Sequence, residues 1–165
     1  MSLALEVQVA VAMPGLPDTA NLRRWSQQAV VADRGPDAAE TELVIRIVDE
    51  AESASLNERY RHKSGSTNVL SFPFEPPPGM DVKDIALLGD VVICAPVVLR
   101  EAVIQGKSLQ AHWAHMVIHG VLHLLGYDHQ DDDSAAAMED LEIRILEGLG
   151  FPNPYGGGGE TGNLA

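Results

Sequence analysis

Residues 119–129 read His-Gly-Val-Leu-His-Leu-Leu-Gly-Tyr-Asp-His, three histidines in an H-x3-H-x5-H array. They close a longer apolar run. Trp113, Met116, Val117, Ile118, Val121, Leu122, Leu124 and Leu125 supply the buried surface of a helix from Trp113 to Leu125. Residues four apart share a helical face, so His119 and His123 project together, one turn apart. Gly126 suits a left-handed C-terminal cap. The chain then turns through Tyr127 and Asp128, and His129 folds back to complete a three-imidazole site. Such a set can hold one zinc ion and keep a coordination position open, which separates a reactive metal site from a structural one.

His112 and His115 compete for the same role. His115 and His123 lie about 12 Å apart along the axis at ~1.5 Å per residue, while zinc–nitrogen bonds are about 2.0–2.1 Å. Both therefore cannot easily reach one ion. Of the remaining pairs, only His119 with His123 is followed at once by a turn carrying a third histidine. His112 and His115 are read as surface, packing or supporting residues. A single histidine on an apolar helix is usually a core residue bonded to a carbonyl; three at chelating spacing are not.

The rest of the chain frames this helix. Its 165 residues fit one domain, expected over 1–155, with a flexible glycine-rich tail at 156–165. Leu3 to Val11 reads as a strand, Asp18 to Ala32 as a helix capped by Asp18, and Glu42 to Val48 as a second strand. Glu50 to Arg61 looks helical, Lys63 to Thr67 a loop, Asn68 to Phe74 a short strand, Asp81 to Ile85 a loop, and Leu87 to Cys94 a strand. Helices follow at about 96–106 and 109–125. A last one, capped by Asp133 or Ser134, runs to Leu149 with Met138, Leu141, Ile145 and Leu149 as its apolar stripe. Strands interleaved with helices, with helices concentrated at the end, predict an α+β fold: a small mixed sheet with helices packed on it.

Composition narrows the function. No apolar run reaches the ~18 residues of a membrane span, and the first residues alternate like a strand rather than a signal peptide. Cys94 is the only cysteine, so no internal disulfide forms and a reducing cytoplasm is expected. The net charge of −13 argues against nonspecific binding to a polyanion such as DNA. One local basic patch stands out, Arg59-Tyr60-Arg61-His62-Lys63.

Residues 119–129 closely resemble the signature of the YbeY family, bacterial metal-dependent endoribonucleases. Leu56 to Lys63 followed by Thr67 to Phe74 is similar to that family's second block, and Leu88 to Ile93 to its third. Met138, Glu142, Ile145, Leu146, Leu149, Gly150, Pro154 and Tyr155 also match its closing pattern. The resemblance covers about residues 40 to 155. It implies that His119, His123 and His129 bind zinc, with nickel or another divalent metal open, and that Arg61 is the catalytic arginine. It further implies a single-strand-specific endoribonuclease of ribosomal RNA maturation, acting at the small-subunit 3′ end and in ribosome quality control. Partners would be single-stranded ribosomal RNA and the ribosome or small-subunit assembly factors. The loop 62–66 departs from the pattern, where many relatives carry an acid or a proline.

The residues suit this chemistry. Zinc held by neutral imidazoles can bring a water's pKa to about 7 and act as a Lewis acid. Arg61 offers a planar donor set matched to phosphate; spacing alone slightly favours a surface ion-pair residue at the end of the 50–61 helix, and the resemblance turns the reading to function. Gly120 stands where an H-E-x-x-H peptidase carries its general base, which favours RNA over peptide. Asp128 either orients an imidazole or is an ordinary turn residue. Asp90 either faces the site from its strand or bonds to a loop. Tyr60 and Phe72 either stack on unpaired bases or belong to the core, with core favoured for Phe72. Two other readings remain: a zinc peptidase, and a ribosome-assembly binding module with a structural zinc, which would need a fourth protein ligand.

Overall fold

The computed structural model describes residues 2–81 and 85–156. The elements run β1 (Leu3–Val9), α1 (Thr19–Arg34), β2 (Thr41–Val48), α2 (Glu50–Arg61), β3 (Val69–Pro73), β4 (Leu87–Cys94), α3 (Ala95–Gln105), α4 (Leu109–Leu124) and α5 (Asp132–Gly148). The α+β expectation holds. The expected loop at 81–85 and the tail at 156–165 fall largely outside the described residues.

The four strands form one mixed sheet in the order β1-β2-β4-β3. β1 and β4 both run parallel to β2, while β3 pairs antiparallel with β4 at the edge. β1 is shorter than its apolar run. Its last pair is Val9 with Ile47, and β2 ends one residue later because Asp49 caps α2, accepting from the Glu52 amide at 2.9 Å. Val11 still packs on the core without a partner strand.

The period-2 alternation divides the sheet into two faces. Leu43, Ile45, Ile47, Val91 and Ile93 join α1, α4 and α5 in the main core. Val48, Leu70, Val92 and Cys94 form a smaller cluster with Val97, Leu56 and Phe72 on the other face. Phe72 is thus a packing residue, half-buried and edge-on to the exposed Tyr60 ring at 5.3 Å.

α4 is the centre of the molecule. Of its 16 residues, 12 are buried, the signature of a helix enclosed on every side rather than an amphipathic surface helix. It lies on β3 and β4, flanked by α1, α3 and α5. Ser108 caps its start, accepting from the Ala111 amide at 3.1 Å. Gly120 sets its distance from the sheet: a Cβ there would stand 2.5 Å from Val91 Cγ1 and 3.2 Å from Val69 Cγ2. The missing side chain at 120 is therefore a packing requirement, since that position faces the sheet. α5 starts earlier than expected. Its cap is Asp131, whose carboxylate accepts from the Ser134 amide at 2.8 Å, so Asp133 and Ser134 lie inside the first turn.

Candidate metal centre

α4 ends in the conformation its sequence dictates. Leu125 closes the last turn, Gly126 takes φ +106, and the amide of Tyr127 bonds back to the Leu122 carbonyl at 3.0 Å. This reversal carries His129 beside the two helical histidines. The ring centroids are 4.7 Å apart for His119 and His123, 5.0 Å for His123 and His129, and 5.7 Å for His119 and His129. One ligand nitrogen from each falls within 4.8 Å of the others. His119 is buried, His123 half-buried and His129 exposed, so the cluster opens in one direction.

The separation of nitrogens tests the fit of a metal. His119 Nε2 and His123 Nε2 are 3.2 Å apart. Two nitrogens bound tetrahedrally at zinc distances would be separated by about 3.3 Å. Burial, and then the neighbouring His119 and His129, lower the pKa of His123 to about 4, although Asp128 and the Tyr127 backbone oppose this. The ring is therefore neutral at physiological pH, the state a metal ligand requires. Among the described residues, no further His, Cys, Asp or Glu atom joins these three.

The other helical histidines turn elsewhere. His112 Nε2 meets Glu101 Oε1 at 2.9 Å, and Glu101 also accepts from the Asn68 amide group at 3.2 Å. His115 Nε2 lies 3.2 Å from both Glu142 Oε1 and the Tyr155 hydroxyl. His115, His119 and Glu142 form a second metal-capable group, but it is closed by contacts too short to admit an ion. His119 Nδ1 is 2.5 Å from Glu142 Oε2, and the Tyr155 hydroxyl donates to Glu142 Oε1.

Glu142, which the sequence offered only as part of the closing pattern and without a role, is a further functional candidate. It is fully buried. Burial pushes its carboxyl up, but the hydrogen bonds from His115 and His119 outweigh this and hold it well below the usual carboxylate range. The signal was present: Glu142 interrupts the buried stripe of Met138, Leu141, Ile145 and Leu146 on α5. Asp128, considered as the imidazole-orienting carboxylate, instead accepts from the His129 amide at 2.7 Å. Asp90 is exposed and alternates with Val91, which faces α4. It therefore points away from the histidines.

Arg61 comes to the cluster from the other side. The cleft of about 410 Å³ over the histidines is lined by His119, His123 and His129 and also by Arg61, Lys63 and Ser71. Arg61 Nη2 donates to the Ser71 carbonyl at 3.0 Å, which holds the guanidinium against the edge strand. Ser71 in turn donates its hydroxyl to the Gly120 carbonyl at 2.9 Å, tying β3 to the histidine helix. The unusual loop after Arg61 is fastened to α2, with Asn57 Nδ2 donating to the Gly65 carbonyl at 2.9 Å and Ser53 Oγ to the Thr67 carbonyl at 2.9 Å. A second hollow, of about 350 Å³ between the β1–α1 connection and the start of α4, has Asp18 as its ionisable lining residue, already engaged as a helix cap.

The chain can now be set beside known proteins. The family described as Endoribonuclease YbeY matches residues 15–150. A protein named endoribonuclease YbeY from Nitrosococcus oceani is 53% identical over 155 residues, covering 94% of this chain and 98% of that protein. Proteins of the same name from two pathovars of Pseudomonas syringae, syringae and tomato, are 56% and 55% identical, each over 93% of this chain and 88% of their own length. The solution structure of TM1509 from Thermotoga maritima superposes with a TM-score of 0.56, covering 86% of this chain and 87% of that one at 22% identity. That likeness concerns the fold.

Proposed function

Because the chain belongs to the endoribonuclease YbeY family, we propose that it is a zinc-dependent endoribonuclease that cuts single-stranded ribosomal RNA. Its work would lie in small-subunit 3′-end maturation and ribosome quality control, in the cytoplasm, alongside the ribosome or its small-subunit assembly factors. The observation that carries this reading is the convergence of three imidazoles in an open cleft that Arg61 also lines. His119, His123 and His129 would hold the metal, whose bound state supplies Lewis acidity and a water acidic enough to ionise near neutral pH.

The remaining steps belong to the chain's own residues. Arg61 presents donors to the oxygens of the scissile phosphate, while its bond to the Ser71 carbonyl fixes the approach of the side chain. Lys63 adds a second cation to the same cleft, which matters in a protein of net charge −13. Glu142 of α5 packs behind His119, and both side chains are buried, where electrostatic interactions are strengthened.

The two alternatives meet specific obstacles. A structural zinc would need a fourth protein ligand, and among the described residues no further His, Cys, Asp or Glu atom joins the three imidazoles. A peptide substrate would be expected to pair with the edge of β3, yet Arg61 occupies the Ser71 carbonyl there. The deciding assay offers metal-loaded protein unpaired RNA, duplex RNA and a set of peptides, with His119→Ala and Arg61→Ala as controls. Cleavage of unpaired RNA is expected. Arg61→Ala should lose about 100- to 1,000-fold in rate, the scale for a lost transition-state donor, with its metal content intact. Peptide cleavage without RNA cleavage would overturn the proposal.

A further inference from the structure

The geometry points to Glu142 and Tyr155 as positioning residues, a buried hydrogen-bond relay that holds His119 in the tautomer able to bind a metal. This inference rests on His119 being a metal ligand. It adds that residues from α5 and the following turn determine whether His119 is ready to act as one.

The argument begins with donors and acceptors. An ionised carboxylate only accepts hydrogen bonds. Glu142 Oε2 lies 2.5 Å from His119 Nδ1, so in the neutral form of the ring, the form that can bind a metal, the proton is placed on Nδ1. Its other nitrogen, Nε2, is left with a free lone pair, and this is the atom 3.2 Å from His123 Nε2. The opposite tautomer would put a hydrogen where a metal has to sit and leave Glu142 Oε2 without a donor.

The second oxygen explains why the carboxylate does not turn away. Glu142 Oε1 accepts from the Tyr155 hydroxyl and lies 3.2 Å from His115 Nε2. Tyr155 is itself held by a tight turn, in which the Asn153 side-chain oxygen accepts from the Tyr155 amide at 2.7 Å and the Gly156 amide at 3.1 Å. Both carboxylate oxygens are therefore committed. Burying a carboxylate between two helices is costly compared with an apolar residue of similar size. A leucine at 142 would extend the existing stripe, so helix packing alone does not account for an acid there. A partner that fixes one imidazole nitrogen and makes the other a better ligand does account for it.

The test uses the full chain with zinc as the probe. Zinc affinity is measured by competition with a chelator for the wild type, Glu142→Gln and Tyr155→Phe, and the His119 tautomer is read from ring nitrogen chemical shifts in metal-free protein. Thermal melts of the metal-free variants report folding. Glu142→Gln should weaken zinc binding about 10- to 100-fold and lose the pure Nδ1–H signature. Tyr155→Phe, which keeps the carboxylate, should shift both in the same direction by a smaller amount and covers the case in which Glu142→Gln fails to fold. Wild-type affinity together with an unchanged His119 tautomer in the folded variants would overturn the relay. A wild-type protein whose zinc binding is insensitive to His119→Ala would instead sink the metal-centre reading, while the tautomer in metal-free protein would still decide the role of Glu142.

Discussion

The two ends of α4 carry the same kind of residue in opposite situations. At its N-terminal end His112 and His115 are sealed in, each with a carboxylate. At its C-terminal end His119 has a carboxylate on one nitrogen only, and His123 and His129 lie among the other imidazoles. Neither the residue type nor the helix distinguishes them. The difference is whether a nitrogen is left facing an open cleft, and that depends on the elements packed around each turn.

The sharpest way to break this contrast is to truncate one histidine from each end. His119→Ala should cost zinc affinity more than the roughly 10–100-fold typical of losing an outer partner, measured by chelator competition. His112→Ala should leave affinity unchanged and lower unfolding free energy by about 1–3 kcal/mol, because Glu101 loses a buried donor. Equal losses of zinc affinity would erase the distinction between the two ends. Next in size is Gly120→Ala. Its Cβ would press on Val91, and overpacking of this kind costs about 1–3 kcal/mol, readable as a lower denaturation midpoint. A neutral result would mean that α4 can lift from the sheet.

A last test of the contrast is pH dependence. His123 titrates near 4 in the folded protein because of burial and its histidine neighbours, against about 6.5 when unfolded. Between those values the unfolded chain binds a proton that the folded one does not. The metal-free protein should therefore gain stability as pH rises from about 4 to about 6.5 and level off above. Chemical denaturation in chelator across that range checks it. A stability that falls as pH rises through this window would place the charged form inside the fold.

The triad was legible in the sequence because its geometry is local: one helical turn and one glycine turn bring 119, 123 and 129 together. The α+β class was legible because short strand-like runs are interleaved with helical ones and a block of helices closes the chain. What escaped was set by partners distant in the chain. β1 stops at Val9 because β2 runs out beside it. Asp131 rather than Asp133 caps α5, a choice among consecutive aspartates that composition does not distinguish. Glu142 reaches His119 from a different helix, so the sequence marks it as an acid within an apolar stripe and a match to the closing pattern, without saying what it touches. The order β1-β2-β4-β3 likewise depends on which strands meet.

The enclosure of α4 has a consequence for change by mutation. Two of the three imidazoles stand on the helix that the rest of the molecule packs against, so their placement can hardly be adjusted without disturbing the whole interior. Lys63, Asp128 and Gln130 border the same cleft from exposed positions. Diversification of what enters the cleft is therefore expected at those three positions, with Arg61 and the three histidines passed on intact.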